Sequence, residues 1–222
     1  VRRGLAEDLS SYRIREKQLT EMKQQFVETI KIKEGQAQAI AYHQERMERT
    51  IRHFFPSLGF ASMPSLERLL APKAHMDFYK ARVVYGEPGV ESIEYAPYSM
   101  REIHSLQVVE DDNITYNFKS TNRDCLNALA ARKGSCDEVI IVKRGLVRDT
   151  SYTNVALYDG KLWLTPRQPL LLGTKRAYLL EKKLIQEADL TVDDLRKAQK
   201  VSLFNAMIEL GEREVTIAHV HF

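Results

Sequence analysis

Two cysteines in 222 residues, Cys125 and Cys136, are too few for a disulfide scaffold. Cys125 falls where the apolar spacing is helical, so both are read as free, buried or half-buried thiols. Neither belongs to a Cys-x-x-Cys pair, which leaves zinc without a framework, and no metal is expected. No apolar run reaches the ~18 residues that a membrane span requires. The opening stretch VRRGLAEDLSSYRIREKQLTEMKQQ is charged throughout and lacks a secretory apolar core, so a cytoplasmic location is expected. There is no basic stripe either. The 33 basic and 30 acidic residues are mixed along the chain and leave a formal charge of only +3, which argues against nucleic acid as a partner. Internal repeats and low-complexity segments are absent as well.

What is present is a globular composition, 44% hydrophobic, enough to bury the core of one large domain or two small ones. Residues 9–25 have helical spacing but few apolar positions, which suggests a solvated helix or an extension. From KQQFVETIKIKEG onward the pattern alternates, with Val27, Thr29 and Lys31 set against Glu28, Ile30 and Ile32. A Glu34-Gly35 turn then starts a return strand. Helices are predicted over 43–55, stopped by Pro56, and over 65–70. FYKARVVYG, VESIEYAPY and EIHSLQVVE read as further strands of one antiparallel sheet, and Asp111-Asp112-Asn113 as a boundary between two parts.

Beyond that boundary NITYNFKS reads as a strand leading to a helix over 123–132 with Leu126 and Leu129 on one side. CDEVIIVKRG has a continuous apolar centre, as a strand buried on both faces would. TNVALYDGKLWLTP forms a hairpin across Asp159-Gly160. A helix over 174–186 would turn Ala177, Leu180 and Leu184 inward, and the short helix VDDLRKA and the strand KVSLFNAM follow. The class is α+β.

Three features in the second half carry chemistry, each weak alone. Lys119 ends TYNFK just before a helix, where an amine can be held in one direction, and burial or nearby cations would free it for nucleophilic work. A lone lysine is nonetheless most often a solvated surface group. Asp149 before Thr150-Ser151 is either an ordinary turn acid or a carboxylate that keeps a pyridine nitrogen protonated. Gly173-Thr174 is either a plain helix start or a set of amides open to a phosphate. Arg46 in HQERM could add charge to that anion, and Asn205-Ala206 could add amides; the commoner readings are a solvated helix face and a strand end.

Taken in order, FVETIKIKEG, YHQERM, KSTNR, DTSYTN, LTP, LLLGTKR and LFNAM resemble the class IV aminotransferases, the fold-type IV pyridoxal-phosphate enzymes. The resemblance covers nearly everything after Met22. It implies the two-domain D-amino-acid aminotransferase-like fold, with a small α/β domain over 22–112 and a larger sheet or pseudo-barrel domain over 113–222. Residues 1–21 would then be an N-terminal helical extension. The cofactor implied is pyridoxal 5'-phosphate, the substrate a small amino compound, and the assembly a homodimer in which one subunit's small domain lies near the other's site. Residue by residue, Lys119 resembles the Schiff-base lysine that shuttles the proton, and Asp149 stands where the family usually has glutamate against the ring nitrogen. Asn154 resembles the asparagine that follows this acid. Arg46, the turn Gly173-Thr174-Lys175, and Asn205-Ala206 resemble the phosphate contacts. Ala156 takes a position that is usually aromatic, and the family's opening Asp-Arg-Gly loop is not recognisable.

Within the family, KSTNR and NAM resemble the aminodeoxychorismate lyase branch, as does Thr29, whose position lines the site there. Either reaction needs a carboxylate anchor, for which Arg82 in KARVVYG is the candidate. The expected activity is therefore aminodeoxychorismate lyase, which releases pyruvate and p-aminobenzoate in folate synthesis. An aminotransferase for branched-chain or D-amino acids, and an inactive family member serving as a binding module, remain the alternatives.

Overall fold

The computed structural model describes residues 24–57 and 63–222. The expected extension over 1–21 lies outside them, as does the helix over 9–25 except for Gln24 and Gln25, which are not helical and lead into the first strand.

Alternation builds the first sheet. In β1 (Phe26–Lys33), Phe26, Glu28, Ile30 and Ile32 are all buried. β1 runs antiparallel to β3 (Tyr79–Gly86), from Phe26 opposite Tyr85 to Ile32 opposite Tyr79. With β2 (Gln36–Ala37) and β4 (Gly89–Pro97) the order is β2-β1-β3-β4. The helix α1 (Ile40–Phe54) begins three residues ahead of the predicted 43–55 and lays Met47 and Ile51 on Phe26, Ile30, Ile32 and Val83. A single turn of helix, α2 (Leu66–Leu69), adds Leu66 to this core. Each large apolar side chain fully withdrawn from water contributes about 1.5–3 kcal/mol.

Two further sheets share the main core. One joins β5 (Leu106–Glu110), β6 (Glu138–Lys143), β7 (Leu146–Thr150) and β13 (Val220–His221) in the order β13-β5-β6-β7. The other joins β8 (Asn154–Tyr158), β9 (Trp163–Pro166), β10 (Gln186–Ala188), β11 (Lys200–Phe204) and β12 (Glu214–Thr216) in the order β10-β9-β8-β11-β12. Ile140, Val142, Val155, Leu157, Val201 and Leu203 meet between them. Val139 and Ile141 face the other way, onto Leu126 and Leu129 of α3 (Asp124–Ala130), so β6 is buried on both faces as its apolar run predicted.

Four expectations need correction. The strand Leu106–Glu110 leaves the antiparallel sheet and pairs in parallel with β6. Its Leu106 and Val109 enter different cores, and burial on both faces suits a parallel strand. The change of sheet therefore falls within 98–105, ahead of the predicted boundary at 110–113. NITYNFKS is not a strand: only Ser120 bridges to Phe26, and the segment docks on the start of β1 through the Lys119 carbonyl and the Thr121 amide. The helix α4 (Thr174–Glu181) stops five residues short of Gln186. Its buried residues are Thr174, Arg176 and Leu179, whereas Ala177 is exposed and Leu184 lies beyond it at 53% exposure. Lys183, with φ of 56°, turns the chain toward β10 instead.

The Glu34-Gly35 turn forms as predicted, and Gly35 is required there twice over. Its φ is +70°, and a Cβ would sit 2.8 Å from the Ala74 Cα and 3.1 Å from the Lys73 carbonyl. Gly35→Ala is therefore expected to lower stability by about 1–3 kcal/mol, read as a shift of the urea midpoint at unchanged slope.

Candidate active site

Backbone docking aims Lys119. The Val27 amide donates to the Lys119 carbonyl at 2.9 Å, and the Thr121 amide to the Gln25 carbonyl at 2.9 Å. The start of β1 thus fixes the lysine, and Thr29 follows two residues on. Both border one cavity, together with Arg46, Asp149, Asn154, Gly173, Thr174, Asn205 and Ala206.

The strand ends β7 and β8 supply the opposite wall. Asp149, buried, accepts from Asn154 Nδ2 at 2.8 Å and from the Leu171 amide at 2.9 Å. Asn154 also donates to the Leu171 carbonyl at 2.9 Å. A Cβ on Gly173 would lie 2.0 Å from Asn154 Oδ1, so glycine is the residue that lets the start of α4 close against this asparagine. No side chain caps α4, and its first amides stay available for an anion. Asn205 spends its side chain on its own turn. Its Oδ1 accepts from the Met207 and Ile208 amides at 2.8 and 3.2 Å, and its Nδ2 donates to the Tyr152 carbonyl at 3.3 Å.

Two predicted residues are not on the cavity. Lys175 pairs with Glu209 at 2.6 Å, an acid it shares with Lys31 at 3.2 Å. Arg82 stands between Thr29 and Glu94 in the strand register, while Lys80, two residues along the same face, does line the wall. Arg123, Tyr98, Tyr116 and Tyr152 also border the cavity without having been singled out. Arg123 stood inside KSTNR, between Lys119 and Asp124, and its place in that motif was the available signal.

Glu28 was missed as well. It is fully buried and accepts from Arg46 Nε on Oε1 at 2.9 Å and from Arg46 Nη2 on Oε2, and His43 Nδ1 lies 2.6 Å from that same Oε2. An acid in phase with Ile30 and Ile32 was its mark in the sequence. Neither bond uses Arg46 Nη1, which leaves that end of the guanidinium for the cavity. His43 Nε2 lies 3.4 Å from Thr174 Oγ1, so the same carboxylate is linked to the first residue of α4.

These neighbours shift the ionisations. Burial alone would raise Glu28, but the Arg46 charge and the hydrogen bonds from His43 and Arg46 bring its pKa down to about 2. Burial and then the Arg46 charge lower Lys119 to about 8; Glu28 pulls the other way, and Arg123 adds the smallest contribution, a further lowering. Asp149 rises to about 6 because burial outweighs its donors. The cavity therefore sets an easily deprotonated amine opposite an acid that lacks a cationic partner.

A family profile described as amino-transferase class IV matches residues 25–212. The chain belongs to the class IV aminotransferase family. A 35% identical protein of unassigned function from Haemophilus influenzae aligns over 81% of this chain and 96% of its own length. The aminodeoxychorismate lyase of Saccharomyces cerevisiae is 28% identical over 59% of the chain and 50% of its own length. A crystal structure from Haemophilus somnus, provisionally assigned as a 4-amino-4-deoxychorismate lyase, superposes with a TM-score of 0.74. It is 32% identical, over 85% of this chain and 98% of that one. The Escherichia coli branched-chain amino acid aminotransferase, 15% identical with a TM-score of 0.67 over 90% and 78%, shares the fold. These agree with the α+β fold type IV architecture read from the motifs.

Class IV aminotransferases use pyridoxal phosphate, and this cavity suits that group. Asp149 has only neutral donors and would accept a protonated ring nitrogen. The α4 amides and Arg46 Nη1 would take the phosphate, and Lys119 supplies the amine.

Glu28→Gln leaves the Arg46 charge buried and unpaired, so a loss of about 3–5 kcal/mol is expected at pH 7. A depressed carboxylate pKa stabilises above the unfolded value of 4.5 and ceases to do so as pH falls toward 2. The gap between the variant and the parent should accordingly narrow through that window in pH-dependent denaturation. In the cofactor-free protein, Lys119 should be acylated with a midpoint near pH 8, ahead of the exposed lysines, as followed by peptide mass spectrometry.

Proposed function

We propose that the chain is a pyridoxal-phosphate enzyme acting on a small amino substrate, with aminodeoxychorismate lyase as its activity. One observation carries the enzyme reading: Lys119, lowered to about 8, shares its cavity with Asp149, Arg46 and the uncapped start of α4. A binding module that had given up catalysis would have no use for an amine poised to lose its proton in the same cavity as a buried acid.

When bound, pyridoxal phosphate supplies a carbonyl that holds the substrate amine and a ring that withdraws electrons from the neighbouring carbon. The protein's share is positional. Asp149 would keep the ring nitrogen protonated, and the α4 amides with Arg46 would fix the phosphate. Lys119, released by the incoming amine, acts as the base at the substrate carbon that carries the amino group. In a lyase that proton loss is followed by departure of pyruvate as the substrate ring becomes aromatic, and no amino acceptor is needed. An aminotransferase must redeliver the proton and then take a second substrate.

The lyase is favoured because relatives named or provisionally assigned so lie at 28% and 32% identity, whereas the branched-chain enzyme lies at 15%. Purified protein mixed with pyridoxal phosphate should turn yellow, and borohydride should fix the cofactor on Lys119 but not in Lys119→Ala. With aminodeoxychorismate alone it should release p-aminobenzoate. A colourless protein refutes the cofactor assignment. Keto-acid formation from branched-chain or D-amino acids with 2-oxoglutarate, in the absence of p-aminobenzoate release, decides for the aminotransferase.

A further inference from the structure

Arg123 has a role that the cofactor does not explain. It precedes α3 and borders the cavity of Lys119. One nitrogen, Nη2, donates to the Ser151 carbonyl at 2.7 Å, a neutral acceptor, while Nε is shut off from water with no partner. Among the described residues no carboxylate pairs with it. A half-buried guanidinium without a counter-ion is unfavourable until an anion arrives, and its planar fork suits a carboxylate better than an ammonium does.

Beyond Arg123 the cavity continues. A second chamber shares Tyr98, Arg123, Ser151 and Tyr152 with the first and adds Arg101 and Lys133. Its acids are already engaged. Asp137 accepts from the His104 and Ser105 amides and the Ser105 hydroxyl at 2.8–3.0 Å. Glu138, 2% exposed, accepts from the Val139 amide at 2.9 Å. Arg101 meets Glu138 at only 3.4 Å and lies over the Tyr152 ring at 5.2 Å, and Lys133 reaches a backbone carbonyl at 3.3 Å. The chamber lining therefore carries three cations, Arg101, Arg123 and Lys133, against two acids, and it shares Tyr98 and Tyr152 with the cavity of the lysine.

We propose that Arg123 anchors a carboxylate carried by the substrate away from its reacting carbon, and that the chamber past Tyr152 receives this acidic end. The substrate class is then an amine bearing a remote carboxylate, not a plain aliphatic amino acid. This rests on the enzyme reading for the word substrate, while the anion site itself stands on the geometry of Arg123.

The test uses benzoate and its neutral counterpart benzamide as probes. In calorimetric titration benzoate should bind the cofactor-loaded protein about ten-fold tighter or more, as a charge-assisted pair predicts. Arg123→Gln should erase that preference and Arg123→Lys restore part of it, with pyridoxal-phosphate uptake unchanged in both. Under turnover, Arg123→Gln should raise KM for carboxylate-bearing amines far more than it lowers kcat. Equal binding of the two probes by the parent protein, which needs no variant, overturns the proposal, and so does a preference that survives Arg123→Gln. If the protein takes up no cofactor, the enzyme reading fails, yet the same titration on the cofactor-free protein still decides the anion site.

Discussion

Glu28 is a carboxylate without access to water, and much of the site hangs from it. Burying such a charge is tolerable only when cationic and hydrogen-bonded partners surround it. Arg46 grips both of its oxygens, and His43 shares one of them with the arginine. Because β1 carries Glu28 while α1 carries both partners, the pairing sets the rotation and height of the helix over the sheet. The consequences run outward in two directions. Arg46 is left with Nη1 toward the cavity, and His43 reaches Thr174 at the start of α4. Meanwhile the residue just before Glu28, Val27, holds the Lys119 carbonyl through its amide. One strand therefore orients an arginine, a lysine and a helix start that are distant in sequence.

The opposite wall is built on different terms. Asp149 has neutral donors only, and burial pushes it up to about 6, whereas Glu28 sits at about 2. The two acids differ because one has its cation in the protein and the other does not. Paired environments that drive titratable groups apart are a recurring way of dividing roles at a site. Here Glu28 is structural and Asp149 is left to meet a charge from elsewhere. Asn154 ties the second arrangement to Gly173, which has no Cβ to collide with it.

Most of the architecture was legible where one physical rule dominated locally. Period-two alternation located β1, the run EVIIVK announced a strand buried twice over, and glycine marked the turns at Gly35 and Gly160. What escaped depended on partners far along the chain. Nothing local says that Leu106–Glu110 would abandon its neighbours for β6, or that TYNFK would form no strand and leave a single bridge to Ser120 beside it. The site divides in the same way. Ordered motifs brought nine residues to one cavity; Arg82 does not border it, and the Lys175 side chain turns to Glu209 while its amide stays in the turn that opens α4. Glu28 carried a visible sign, an acid in phase with isoleucines, that only a neighbour from α1 could interpret.

The cations around the cavity bear on which chemistry it favours. Lys119, Arg46 and Arg123 lie close enough to influence one another, since both arginines lower the lysine. Repulsion of that kind helps the amine shed its proton, but it must be balanced when anions enter. A phosphate neutralises the Arg46 side, and a substrate carboxylate can neutralise the Arg123 side. Filling the first leaves Lys119 still under the influence of Arg123, so the lysine's basicity becomes sensitive to whether an acidic substrate is present. An aliphatic amino acid, whose side chain brings no charge, would leave Arg123 unmatched in a half-buried setting. A substrate with a remote carboxylate would satisfy it and, by removing a nearby positive charge, make Lys119 a stronger base at the moment it is needed. Selectivity would then rest on that ion pair, while the basicity of Lys119 is set chiefly by burial and Arg46.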